Sequence, residues 1–238
     1  MSNKSWLFFC SILVFIVVLF SASFAEVVLY DNIGITREEI KITVETRGRY
    51  FSKGGEVVRF TAEGKAIGNA LSGGDGFAYK SFIPKKTGIN LISVRFGKDN
   101  DTGIILSLRK GSRIVFVDVE GSLLAASFSR KPIETGRKAI ENIIKKYPVV
   151  YLHSGTLGTK SIKQWLKKNK FPESVVMSWD SGALYRDLKK KGFRIKAIIG
   201  SQAVIESATE DKPLAFSFDE FEGAVHVKDW KEIEKRLK

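Results

Sequence analysis

The hydrophobic pattern changes period at residue 113, so one repeating architecture cannot serve the whole chain. Between Ile40 and Leu108 apolar residues largely alternate with polar ones, in short segments separated by glycine: Ile40 to Thr46, Glu56 to Ala62, Lys65 to Leu71, Phe77 to Phe82, Asn90 to Phe96 and Gly103 to Leu108. Alternation puts one face of each strand on a core and the other in water, and many short strands at regular spacing predict an antiparallel β-sandwich over residues 27–110. The turns at Lys53-Gly54-Gly55, Ser72-Gly73-Gly74-Asp75-Gly76 and Lys86-Thr87-Gly88 supply residues suited to tight reversals. Hairpin turns account for Asp75, and Asp99 and Asp101 read the same way, although loop carboxylates are also calcium ligands.

From Arg113 onward strands and helices alternate. Ile114 to Val117 is apolar without alternation, as in a strand covered on both faces. The pattern predicts strands at 114–119, 149–153, 174–178, 195–199 and 214–218. Helices are predicted at 134–146, 159–169, 182–191, 203–208 and 227–237. Five strands each followed by a helix predict a doubly wound, parallel, five-stranded α/β domain over residues 111–238. Right-handed crossovers then bring the strand C-termini to one edge. That edge collects Asp118, Glu120, Ser122, His153, Ser154, Gly155, Gly200, Ser201, Gln202, Asp219 and Glu220.

Lys4 precedes an apolar run from Trp6 to Phe20, and Ser21 to Ala25 are mostly small. Residues 1–25 therefore read as a secretory signal peptide cut after Ala25, the alternative being an uncleaved anchor. Export to the periplasm or cell envelope follows from either. Cys10 is the only cysteine and lies in that run, so the remainder has no disulfide and no thiolate metal site. The formal charge is +13, with net +4 over residues 26–110 and +8 over 111–238. Such a balance suits an anionic or phosphorylated ligand or acidic lipid headgroups. Without an aromatic-interleaved basic strand or a recognition helix, nucleic acid is not an expected partner, and membrane contact is expected only through the N-terminal segment.

Asp118 and Glu120 are candidate catalytic and metal-binding residues, because two carboxylates two residues apart at a strand end can hold a hard cation or divide into nucleophile and proton donor. Ser154 and Gly155, before a predicted helix, could cradle a phosphate oxygen. The run DVEGSLL, Asp118 to Leu124, resembles the D-x-D-G-[ST]-L motif of the haloacid dehalogenase superfamily, and VVYLHSG resembles its second motif, an apolar strand ending in Ser or Thr. The resemblance implies a magnesium-dependent phosphohydrolase with Asp118 as nucleophile, Glu120 as acid and base, and Ser122, Ser154 and Gly155 around the phosphoryl group. Glu120 stands where the family has Asp, which moves a carboxyl by about 1.5 Å. The loop directly after the fourth strand offers Gly200, Ser201 and Gln202 in place of an acid, and Glu206 lies further down the following helix. Arg186 and Lys189 to Lys191 are the nearby basic residues for the third motif. The first region, Gly55 to Phe96, resembles immunoglobulin-like domains of bacterial surface proteins. The competing reading is a non-catalytic binding or scaffolding protein of the cell envelope.

Overall fold

In a computed structural model the described residues are 26–48, 51–125, 131–208 and 212–237. The leader assigned to residues 1–25 lies outside them. Among the described residues no helix is long and apolar enough to cross a membrane.

The first half is two sheets enclosing a core. Strands β1 (Glu26–Tyr30), β3 (Ile40–Arg47) and β6 (Phe77–Phe82) form one sheet, in the order β1-β3-β6. The other contains β2 (Asn32–Ile35), β4 (Val57–Ala62), β5 (Lys65–Leu71), β7 (Gly88–Phe96) and β8 (Asp99–Leu108), in the order β2-β8-β7-β4-β5. Val27, Leu29, Ile42, Val44, Val58, Phe60, Ile92 and Val94 fill the space between them. Alternation in β7, which buries every second residue from Asn90, is the sequence pattern that predicts this arrangement. β1 and β2 are not predicted from the sequence. A single residue, Asp31, separates them, and there the chain passes from one sheet to the other.

The second half is built on six parallel strands, not five. These are β9 (Arg113–Asp118), β10 (Val149–His153), β11 (Val176–Ser178), β12 (Arg194–Ile199), β13 (Leu214–Ser217) and β14 (Val225–His226), ordered β11-β10-β9-β12-β13-β14. The sixth occupies residues immediately before the segment expected to be helical. That helix, α6 (Trp230–Arg236), begins only after Asp229, whose carboxylate accepts from the N–H groups of Lys231 and Glu232. Helices are short throughout: α1 (Val119–Ser122), α2 (Gly136–Ile143), α3 (Thr159–Lys168), α4 (Ala183–Lys190) and α5 (Gln202–Glu206). Among the described residues strand makes up 42% and helix 22%. The expected five-stranded, doubly wound domain of haloacid dehalogenase type is corrected accordingly.

The central strand behaves as its composition demands. Val115 and Val117 pack on one side with Ile140, Ile143, Ile162, Trp165, Trp230 and Ile233. Ile114 and Phe116 pack on the other with Tyr185, Leu188, Val204 and Ile205. That second cluster also contains Ile33, Ile104, Leu106 and Leu108 from the sandwich, so the halves share one apolar core instead of being joined by a solvated linker.

Candidate functional site

β9 delivers Asp118 to the C-terminal edge of the parallel sheet, fully buried, and α1 starts at the next residue. Asp118 Oδ1 accepts from the Ser154 hydroxyl at 2.6 Å, and Oδ2 accepts from the Ser201 hydroxyl at 2.8 Å and the Ser201 N–H at 3.1 Å. Gly200 and Gly121 make this convergence possible. A Cβ on Gly200 would lie 2.5 Å from Asp118 Cβ, and one on Gly121 would meet Asp118 Oδ2 and come within 2.6 Å of the Ser201 nitrogen.

Glu120 reaches across to the loop between β10 and α3. Its Oε2 accepts the N–H groups of Ser154 and Gly155, both at 2.8 Å, and its Oε1 accepts that of Leu157 at 3.1 Å. His153 Nδ1 lies 3.4 Å from Oε2. The amides that the sequence reading offers to a phosphate are thus filled by a carboxylate of the chain itself. Gly155 is glycine for a steric reason, because a Cβ there would sit 2.6 Å from Glu120 Oε1. Replacing Glu120 with alanine is expected to leave these amides to water and raise amide exchange over 153–158, with little change across β4 and β7, as hydrogen exchange would read directly.

The structure brings together Asp118, Glu120, Ser154 and Gly155 but excludes the side chain of Ser122. That hydroxyl donates back to the Asp118 carbonyl at 2.6 Å, inside α1, and the Ser122 carbonyl accepts from Trp230 Nε1 at 3.0 Å. Ser201 takes a place that sequence reasoning gave only to a loop, and a glycine-serine pair ending a buried strand is the signal for it. Asp219 and Glu220 are exposed, while Arg186 is exposed on α4. Glu206 accepts from Gln202 Nε2 on its own helix. His226 lies exposed in β14, immediately before the segment predicted to be helical.

A magnesium site does not fit these residues. A hard cation needs converging lone pairs, and the oxygens of Asp118 and Glu120 instead face N–H and O–H donors. Among the described residues no three of His, Cys, Asp and Glu are grouped as metal ligands. A cavity of about 410 Å³ lies elsewhere, at the junction of the two halves, where Leu91 and Ile104 face Lys163, Leu166, Lys167 and Phe171.

No protein-family model and no curated protein matches the sequence. Solved structures similar to parts of the chain include a putative membrane anchored protein from Corynebacterium diphtheriae, at 18% identity and TM-score 0.32, covering 37% of this chain and 22% of that one. The fibronectin(III)-like modules of CbhA from Clostridium thermocellum are 20% identical at TM-score 0.27, covering 36% and 47%. Invasin, a bacterial integrin-binding protein, is 14% identical at TM-score 0.30, covering 37% and 19%. The chain spans less than half the length of each. Scores this low leave the fold to be read from the sheets themselves. None of these similarities is to a haloacid dehalogenase, and the resemblance of Asp118 to Leu124 to that superfamily is confined to the motif. The hydrolase, phosphatase and magnesium expectations find no support among these similarities.

Proposed function

We propose that the chain is an exported, non-catalytic binding or scaffolding protein of the cell envelope. One observation carries this reading: every carboxylate oxygen of Asp118 and Glu120 already accepts a hydrogen bond from the protein. A nucleophile or general acid must reach its substrate, and here Asp118 is wholly buried while Glu120 is held by three loop amides, so both groups serve to close the edge of the sheet. The leader-like N-terminus supports export. The core shared between the halves supports a rigid two-part body suited to holding a partner.

The test is hydrolysis of an aryl phosphate and a panel of phosphomonoesters with magnesium, comparing the parent with Asp118→Asn. The expected result is no turnover in either, with the Asn variant folded, since its amide can accept from Ser201 and donate to Ser154. Turnover in the parent that disappears in Asp118→Asn would overturn the proposal.

A further inference from the structure

The edge of the parallel sheet opposite Asp118 and Glu120 has a chemistry of its own. The segments leading into and through three neighbouring strands, 104–117, 143–153 and 188–202, contain no Asp or Glu and carry ten Lys or Arg. The parallel topology gathers them, since β10, β9 and β12 are adjacent and start at the same edge. Arg113 and Arg194 are register partners on neighbouring strands. Their loops are tied by the Gly111 N–H donating to the Gly192 carbonyl at 2.9 Å and the Arg194 N–H donating to the Ser112 carbonyl at 3.0 Å. Arg113 and Lys196 both lie over the Tyr147 ring, 5.8 and 5.5 Å from its centroid. The Lys110 side chain packs against Gly192, 3.0 Å from where a Cβ would stand.

Among the described residues none of Lys110, Arg113, Lys146, Arg194 and Lys196 forms an ion pair. Lysines at the end of α4 are explained by the helix dipole. Arg113, Arg194 and Lys196 are not, because they lie in the first half of strands. Like charges on adjacent registers repel, and a fold tolerates that repulsion most readily where an external anion offsets it.

We propose that this edge docks on an anionic phospholipid surface, holding the chain with Asp118 and Glu120 turned away from the bilayer. Charge complementarity argues for the partner, and each cation near such a surface contributes about 1 kcal/mol of attraction. The apolar Trp6 to Phe20 run would add to this attraction where it is retained, but the edge acts without it. The inference rests on residues other than those behind the proposed function and stands or falls separately.

The test uses the chain from Glu26 onward, which contains both halves of the shared core, and vesicles of phosphatidylcholine with or without phosphatidylglycerol. Sedimentation is expected to show binding only to the anionic vesicles, lost at high salt. Lys110→Gln, Arg113→Gln and Arg194→Gln together are expected to lower the partition coefficient about 100-fold. The same number of changes on the sandwich, at Lys65, Lys85 and Lys86, is expected to have little effect. Circular dichroism shows whether both sets fold. No binding to anionic vesicles, or equal loss in the two sets, would overturn the proposal. So would tighter binding to a single-stranded oligonucleotide than to the vesicles, which would make the edge a nucleic-acid surface instead.

Discussion

Replacing Asp31 with alanine is expected to destabilise the protein by about 3 kcal/mol, as chemical denaturation would measure. Asp31 stands at the crossing between the two sheets of the sandwich, with its side chain only 1% exposed. Its Oδ1 accepts from the Ile104 N–H at 2.8 Å and from Lys163 Nζ at 2.6 Å, and its Oδ2 accepts from the Val176 N–H at 2.8 Å. Val176 belongs to β11, the edge strand of the parallel sheet, so one carboxylate caps an otherwise open edge and ties the two halves together. Alanine would leave two buried N–H groups without partners and remove the carboxylate paired with the Lys163 ammonium, which keeps a long 3.5 Å contact to the Leu29 carbonyl. Burial nevertheless pushes the Asp31 carboxyl up, with Lys163 and the two N–H groups pulling against it. A carboxyl whose folded value is raised takes up a proton more readily in the folded state than in the unfolded one. Its ionisation therefore weakens folding as pH rises through the folded value. Parent stability relative to Asp31→Asn should accordingly improve as pH falls from neutrality toward the ordinary carboxylate range. The opposite slope would mean that the Lys163 pair dominates.

Asp31 also marks where sequence reading stops. Ile114 to Val117 is legible as a covered central strand because nothing in it alternates, and each of its residues is buried against one of two apolar clusters. Asn90 to Phe96 is legible because everything in it alternates. Glu26 to Ile35 is not, because its break is one carboxylate whose partners lie 73 and 145 residues away. β14 fails for a local reason. Two residues paired through Phe216 and Ser217 carry too little pattern, and Val225 to Val227 merges into the apolar face of the following helix. At the site, the D-x-E-G spacing announces two carboxylates at a strand end, and both reach Ser154, Asp118 through its hydroxyl and Glu120 through its N–H. What the spacing cannot convey is that Gly155, 35 residues on, leaves room for Glu120 to fill the amide cradle itself. Motif similarity reports the residue types, while the chemistry depends on which donors face them.

The closeness of that packing makes Gly200→Ala and Gly121→Ala the second large effect, each expected to cost about 2 to 3 kcal/mol. Neither glycine adopts a left-handed backbone, so conformational strain does not enter and the cost is steric. The obstacles are hard to move. At Gly200 the clash is with Asp118 Cβ, fixed to the central strand, and at Gly121 it involves Asp118 Oδ2 and the Ser201 backbone nitrogen. Gly74, where an added methyl would meet nothing within 4 Å and φ is not positive, is the control, and alanine there should leave stability within about 0.5 kcal/mol of the parent. A double-mutant cycle separates the two sites. Asp118→Ala removes Oδ2 but keeps Cβ, so it should relieve about 1 kcal/mol of the Gly121→Ala penalty while leaving most of the Gly200→Ala penalty in place. Equal relief at both positions would mean that the loop carrying Gly200 shifts as a unit when the carboxylate is gone. Asp118 would then set the position of that loop in addition to accepting its hydrogen bonds.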